Sequence, residues 1–245
     1  MRLTRVHVDL PLAAGIELAL PEGPAAHLSR VLRLGIGDGC VLFNGNGFDY
    51  PAQIVATGKR ELRVVVDEPV TVRRESPLQI VLLQGIARGE KMDLILQKAT
   101  ELGITAMHPL VSQRSEVKLD EKRAGKRLEH WRNVVIAACE QSGRAVVPAV
   151  AAPVPLAAAL DGLPAGGLRL ILDPEGELAF AGLPIGIDTR VVLAVGPEGG
   201  WSSSDRQQLQ DAGFRGLRLG PRILRTETAG LAAIAAVQAQ FGDLG

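Results

Sequence analysis

The segment GPEGGWSSSD, residues 196–205, combines three glycines with a carboxylate directly after an apolar stretch. Gly196, Gly199 and Gly200 lack side chains, so a ligand can approach the backbone closely. Glu198 could accept hydrogen bonds from that ligand or orient a neighbouring loop. The segment separates a predicted buried strand from a predicted helix, and ligands of parallel sheets bind at such strand ends. A tight structural turn is the competing interpretation.

A second segment with the same placement is LGPRILRTETAG, residues 219–230. It follows a predicted strand and opens a predicted helix, whose first N–H groups, from Leu224 to Glu227, are expected to face a ligand. Its arginines suit phosphate or carboxylate recognition. Its threonines supply hydroxyl groups to a ligand or cap the helix. These side chains are Arg222, Arg225, Thr226 and Thr228.

Two weaker clusters carry polar groups at the ends of predicted elements. Arg114 and Ser115 follow a predicted strand and are therefore expected at the same edge of the sheet. Glu140, Gln141 and Arg144 lie near the end of a long predicted helix, where they could reach RNA or cap a surface helix.

Several other chemistries are disfavoured. The chain contains no GxxxxGK[ST] phosphate loop, no GxGxxG dinucleotide motif and no GxSxG nucleophile elbow. Residues 85–91, GIARGEK, have spaced glycines but match none of these patterns. Cys40 and Cys139 have no CxxC partner and no neighbouring histidines, so we expect no metal site.

The overall charge is balanced, with 27 basic and 27 acidic residues. Nucleic-acid-binding proteins are often basic, so this balance counts against RNA binding. Local runs differ, because residues 113–132 hold seven lysines and arginines, and residues 215–225 hold four arginines without an acid. Aromatic residues make up only 3%, so stacking on bases cannot dominate RNA contacts. The N-terminus lacks a signal-peptide pattern, and a cytoplasmic location is expected.

The elements that must position these residues fall into two groups. Residues 1–72 read as short alternating strands with an NGNG hairpin turn at 44–47, which predicts a small β-barrel. Residues 73–77 are a polar linker. From residue 78 to 245, continuous apolar strands alternate with amphipathic helices, which predicts an α/β domain with a mostly parallel sheet.

Five motifs in order, HLSRVLRLGIGD, QKATELGI, AACEQSGR, GPEGGWS and LGPRILRTETA, resemble the RsmE family of ribosomal RNA uridine-N3 methyltransferases. That family belongs to the SPOUT superfamily of knotted methyltransferases. The resemblance covers nearly the whole chain, and its last two motifs are specific. One departure is Asp205, where many relatives are expected to have Glu.

The resemblance implies a PUA-like RNA-binding barrel followed by a SPOUT α/β domain with a trefoil knot, an exception to the usual unknotted connections. It implies a homodimer that binds S-adenosylmethionine and forms N3-methyluridine in 16S ribosomal RNA of the small subunit. Separately, no apolar run is long enough to span a bilayer without Gly or charge, so neither a membrane nor a metal partner is expected. Under this reading, Arg114 and Arg225 stabilise charge on the uracil, and Glu198 or Glu227 is a base or orients a loop. The expected cofactor residues are Leu172, Gly196, Pro197, Gly199, Gly200, Leu219, Gly220, Ile223, Leu224, Thr226 and Ala229. The expected RNA-binding residues are Arg2, Arg5, Arg30, Arg33, Lys118 and Arg144.

Three alternatives stay open at this point. The same fold could methylate transfer RNA or large-subunit RNA. A protein of another class, a non-catalytic RNA-binding ribosome-assembly factor, could keep the fold without binding the cofactor. A nucleotide-binding enzyme with a different phosphate loop is disfavoured by the missing phosphate-loop lysine.

Overall fold

The computed structural model describes residues 3–58, 61–115, 121–186 and 189–245. Two compact units make up the chain. The first contains Met1–Glu75 and Ile136–Val147, and the second contains Ser76–Val135 and Pro148–Gly245. The boundary after Glu75 falls inside the predicted linker.

The first unit is built on one mixed sheet with strand order β1-β3-β4-β5-β2, and β6 pairs with β4. Its elements are β1 (Arg5–His7), β2 (Glu17–Ala19), α1 (Glu22–Ala26), a π-helical turn (His27–Val31), β3 (Gly39–Phe43), β4 (Phe48–Thr57), β5 (Leu62–Val66) and β6 (Val70–Thr71). β3 and β4 are antiparallel, and the NGNG turn joins them as predicted. Gly45 and Gly47 adopt φ angles of 88° and 91°, which glycine tolerates without strain.

The helical segment of this unit, residues 22–31, is irregular. α1 passes into the π-helical turn, and Arg33 adopts a left-handed φ of 57°. A wider π turn changes which side chains share a face. Leu28 is buried in the barrel core, whereas Val31, three residues later, is 67% exposed.

Among its described residues, the second unit has a sheet of eight strands in order β10-β8-β7-β13-β11-β14-β12, with β9 on β8. The strand pairings between these residues are all parallel. The remaining elements of the chain are β7 (Gln79–Gly85), α2 (Lys91–Glu101), β8 (Ala106–Val111), α3 (Glu121–Ser142), β9 (Ala149–Val150), β10 (Val154–Pro155), α4 (Leu156–Asp161), β11 (Leu168–Leu172), β12 (Leu178–Ala179), β13 (Arg190–Val195), α5 (Ser203–Asp211), β14 (Arg215–Arg218) and α6 (Thr226–Phe241).

Parallel pairing places the carboxyl ends of β7, β11, β13 and β14 along one edge of the sheet. The central strands β7 and β13 are almost entirely buried, as their continuous apolar runs predict. After β14 the chain turns back, and α6 packs against β13, β7 and α2. The trefoil knot expected from the resemblance stays a prediction.

Local sequence explains how α5 begins. Asp205 N–H donates to Ser202 Oγ at 3.0 Å, and Ser202 N–H donates to Asp205 Oδ2 at 3.0 Å. This reciprocal pair is a capping box, in which two otherwise unpaired N–H groups find acceptors. Asp205 therefore completes the capping box with the same carboxylate group that Glu would supply at this position.

Residues Ile136–Val147 belong to the first unit, because the end of α3 and the turn that follows it form hydrogen bonds with the barrel. The domain predicted from the sequence instead placed these residues with the rest of 78–245. Arg5 Nη1 donates to the Cys139 carbonyl at 2.7 Å, and Arg5 Nη2 donates to the Arg144 carbonyl at 3.1 Å. His7 N–H donates to Glu140 Oε1 at 2.9 Å.

Among the described residues, no helix combines the length and apolar character needed to cross a membrane.

Candidate functional site

A cavity of about 520 Å³ lies at the carboxyl edge of the parallel sheet, in the size range of small-molecule sites. Its walls come from the loops that follow β11 and β13, from the loop before α6, and from the first turns of α2 and α6. Both glycine-containing motifs of the sequence therefore meet around one cavity.

Most of the predicted cofactor residues line this cavity. They are Leu172, Gly196, Pro197, Gly200, Ile223, Leu224, Thr226 and Ala229. Leu219 and Gly220 instead line a smaller recess that shares Leu172, Pro174, Leu224 and Ala229 with the main cavity. Gly199 is outside the lining, and its carbonyl accepts a hydrogen bond from Arg114 Nη1 at 3.1 Å.

The cavity also contains residues that sequence reasoning did not select. They are Lys91, Pro174, Val195, Trp201 and Arg206. Lys91 belongs to the GIARGEK stretch, which matches no phosphate-loop pattern. The feature that could have indicated Lys91 as a site residue is its position at the start of α2. Arg206 forms an ion pair with Asp173, which follows β11.

Two contacts fix the GPEGG loop, residues 196–200, against its neighbours. Thr226 Oγ1 donates to the Gly196 carbonyl at 2.6 Å and accepts from Gln84 Nε2 at 3.0 Å. Gly85 lies so close that a Cβ placed on it would be 2.5 Å from Pro197 N. The loop therefore depends on a glycine in β7 and a hydroxyl group in α6.

Three charged side chains meet at the cavity wall. Lys91 Nζ lies 3.1 Å from Glu198 Oε1 and 3.6 Å from Glu227 Oε2. Glu198 Oε1 also accepts from the Arg88 N–H at 3.1 Å. Burial opposes ionisation of Glu198, but the N–H groups of Glu198 and Arg88 and the Lys91 ammonium outweigh it and lower its pKa.

The predicted catalytic arginines occupy different places. Arg225 lines the cavity as the exposed residue preceding α6. Arg114 is exposed and outside the cavity lining, where its bond to Gly199 holds the GPEGG loop. The exposed Arg222 lines only the smaller recess.

Two polar atoms near the cavity have unused hydrogen-bonding capacity within the described part of the chain. Trp201 Nε1, a donor, and Glu227 Oε2, an acceptor, are buried without a hydrogen-bond partner. Buried polar groups are normally paired, so such atoms in a cavity wall suit contacts with a ligand.

The structure corrects two predicted RNA contacts. The Arg5 side chain is 4% exposed, and its guanidinium is held by Asp49 at 2.6 Å and lies 4.5 Å from the Phe43 ring centroid. The Arg144 side chain is 5% exposed, and its Nε donates to Glu75 at 3.1 Å. Both guanidinium groups are paired with carboxylates inside the protein and are not available to RNA phosphates.

The other predicted RNA contacts are placed differently. Arg30, in the π-helical turn of the first unit, and Arg33, two residues after this turn, are exposed. Arg2 and Lys118 lie outside the described residues. No group of three His, Cys, Asp or Glu side chains in the described ranges is arranged to hold a metal ion.

Comparison with known proteins agrees with this architecture. A family model for an RNA methyltransferase domain matches residues 74–238, and a model for an RNA methyltransferase PUA domain matches residues 25–67. Ribosomal RNA small subunit methyltransferase E of Bacillus subtilis is 32% identical, over 87% of this chain and 86% of its own. The corresponding protein of Buchnera aphidicola from Schizaphis graminum is 31% identical, over 99% and 98%.

Solved structures are similar over the whole length. Ribosomal RNA small subunit methyltransferase E from Neisseria gonorrhoeae, bound to S-adenosyl methionine, is 40% identical with a TM-score of 0.94 and covers 100% of both chains. A methyltransferase from Legionella pneumophila in complex with the same cofactor is 36% identical, with a TM-score of 0.95, over 99% of this chain and 100% of its own. The chain therefore belongs to the RsmE family of RNA methyltransferases.

Proposed function

We propose that this protein uses S-adenosylmethionine to methylate N3 of a uridine in 16S ribosomal RNA of the small subunit. The observation that carries the proposal is the convergence of the GPEGG loop and the LGPRILR loop, residues 219–225, on one cavity at the carboxyl edge of the sheet. The full-length likeness to a small-subunit methyltransferase bound to this cofactor supports it. A ribosomal substrate would place the enzyme in the cytoplasm.

The cavity suits the cofactor in size and chemistry. Leu172, Ile223, Leu224 and Ala229 provide apolar surface for a planar base. The first turn of α6 and the glycines of the GPEGG loop offer backbone groups, and Trp201 Nε1 offers an unpaired donor. S-adenosylmethionine, when bound, supplies an electrophilic methyl group on a positively charged sulfur.

The protein's own contribution is to place the uracil and handle charge. Holding N3 close to the methyl group and in line with it converts a bimolecular encounter into a positioned step. As the N3 proton is lost, negative charge spreads to O2 and O4 of the base. Arg225, which lines the cavity and is exposed, is the group we assign to stabilise that charge. Arg114 acts indirectly by holding Gly199.

RNA contact outside the reacting base is assigned to the first unit. Arg30 and Arg33 are exposed on an irregular segment, and such arginines give salt-dependent affinity through phosphates. The balanced net charge means that these contacts must be local rather than spread over the surface.

The test supplies radiolabelled S-adenosylmethionine and small ribosomal subunits from cells that lack the modification. We expect label in N3-methyluridine of 16S RNA, identified after digestion to nucleosides. Cofactor binding without label in this RNA would contradict the substrate, and label in transfer RNA or large-subunit RNA would identify the alternative. Absence of cofactor binding would favour a non-catalytic assembly factor.

A homodimer is the second part of the proposal. α6 is apolar nearly all round, yet Leu231, Ala232, Ala235 and Ala236 are only half-buried, and Ile223 is 84% exposed. Helices with apolar residues on every side are normally covered, so a second copy is the proposed cover.

Sedimentation equilibrium is expected to give twice the 25.9 kDa mass of one chain. Ala235→Arg places a charge on the half-buried face and is expected to yield monomers, whereas Gln240→Arg, at an exposed position of the same helix, should leave dimers. A monomeric mass for the unsubstituted protein would contradict the dimer.

A further inference from the structure

The two carboxylates in the cavity wall differ in how fully they are bonded. Glu198 Oε1 accepts from both Arg88 N–H and Lys91 Nζ, at 3.1 Å each. These bonds favour its ionised form and lower its pKa, although burial opposes this. A carboxylate so engaged is a weak proton acceptor and is better suited to anchoring the GPEGG loop.

Glu227 has the opposite character. Its side chain is 15% exposed, and its Oε2 is buried without a hydrogen bond to any described residue. The residue lines the cavity from the first turn of α6, where a negative charge is stabilised by the N-terminal end of the helix. An acceptor atom is therefore free beside the space that the ligands must occupy.

Lys91 connects these two groups. It is the first residue of α2, and its Nζ lies 3.6 Å from the free Glu227 Oε2 while hydrogen-bonding Glu198. A cation at this distance attracts the carboxylate without occupying its oxygen at hydrogen-bond distance. The other charged side chains that line the same cavity are Arg206, which Asp173 neutralises, and Arg225.

We propose that Glu227 accepts the N3 proton of the target uracil, and that Lys91 is the positioning residue that holds the Glu227 carboxylate in the cavity wall beside the GPEGG loop. The inference rests on the proposed function. In the step, a bond forms between N3 and the methyl carbon as the carbon–sulfur bond breaks, and sulfur keeps the electron pair. The N3 proton passes to Glu227 Oε2 and is then released to water.

The rate test compares Glu227→Gln with Glu198→Gln in single-turnover methylation of small-subunit RNA at saturating cofactor. We expect Glu227→Gln to lower the rate on the order of 100-fold, the usual contribution of a general base. Glu198→Gln should lose much less at saturation and mainly weaken cofactor binding, measured by calorimetry. An equal or larger rate loss in Glu198→Gln would overturn the assignment.

The Lys91 test uses the same single-turnover rate at saturating cofactor. Lys91→Met removes the cation that lies 3.6 Å from Glu227 Oε2 and positions this carboxylate, and it should lower the rate about tenfold. Lys91→Arg should recover most of the rate, because it keeps a cation at the same place. The matched control is Lys98→Met on the same helix, which removes an ion pair to Glu101 outside the cavity and should leave the rate unchanged. A rate for Lys91→Met that matches the control would overturn the role of Lys91.

A third measurement needs no RNA. In protein labelled with carbon-13 at glutamate carboxyl groups, the Glu227 signal is assigned by its loss in Glu227→Gln. The chemical shift of this signal at neutral pH should change in Lys91→Met and not in Lys98→Met, and an unmoved signal would contradict the contact between Lys91 and Glu227. If the unsubstituted protein methylates a different RNA, the substrate proposal fails, and the Glu227 comparison is decided on that RNA.

Discussion

Replacement of Gly85 by alanine is expected to weaken S-adenosylmethionine binding by about 100-fold, close to 3 kcal/mol. Gly85 ends β7, and a Cβ there would lie 2.5 Å from Pro197 N, 2.6 Å from Pro197 Cδ and 2.9 Å from the Gly196 carbonyl carbon. All three atoms belong to the GPEGG loop, and two are backbone atoms that cannot rotate away. The loop must therefore move out of the cavity wall.

Titration calorimetry of the cofactor provides the measurement, and circular dichroism checks that the fold is kept. The matched control is Gly125→Ala, since a Cβ at this helical position in α3 meets no atom within 4 Å. That change should leave cofactor affinity unaltered and increase helix stability by about 0.5–1 kcal/mol. Affinity of Gly85→Ala within threefold of the unsubstituted protein would show that the loop does not depend on this contact.

Replacement of Arg5 by methionine is expected to lower the free energy of unfolding of the first unit by about 3 kcal/mol. The change leaves the Asp49 carboxylate without its cation in a site where its side chain is 18% exposed. It also removes the donors to the carbonyls of Cys139 and Arg144, which anchor Ile136–Val147 to the barrel. Unpaired buried charges and acceptors cost far more than an exposed pair contributes.

Native-state hydrogen exchange of the β3 and β4 amides in increasing urea measures the unfolding free energy of this unit. Arg63→Met is the control, because Arg63 pairs with Glu17 and Glu61 on the exposed surface, and its loss should produce no measurable change. If Arg5→Met is as stable as this control, the buried network does not hold the unit together. Salt-dependent RNA affinity that falls on Arg5→Met without loss of stability would restore its predicted RNA contact.

Local patterns predicted much of the fold. The apolar runs of β7 and β13, the alternation in the barrel, and the start of α6 at Thr226 are properties of a few neighbouring residues. The same is true of the NGNG hairpin and of the capping box at Ser202. Because strand direction follows from alternating strands and helices, the sequence also predicted that the GPEGG and LGPRILR loops lie at one edge of the sheet.

Identical residue types received opposite roles from the tertiary structure. Arg5, Arg33 and Arg144 are equally basic in the sequence, but only Arg33 is exposed, because partners 44 and 69 residues away from Arg5 and Arg144 enclose the other two. Likewise, Lys91 lies in a stretch without a known motif, and its proposed role comes from its contacts with carboxylates that lie more than 100 residues later in the chain. Glu198 and Glu227 are the same residue type, and they differ in the hydrogen-bond donors that the fold places beside each carboxylate.

The elements, the two loops and the family resemblance can be predicted from the sequence, since these depend on local periodicity, turn residues and contiguous motifs. Three features follow only from the folded chain: which carboxylate keeps a free oxygen, which arginines are buried, and that Ile136–Val147 belongs to the barrel unit. They could not be predicted because burial and pairing are set by contacts between distant segments. The sequence shows which residues can carry a charge, but the partners of each residue and its exposure to water are set only when the chain folds.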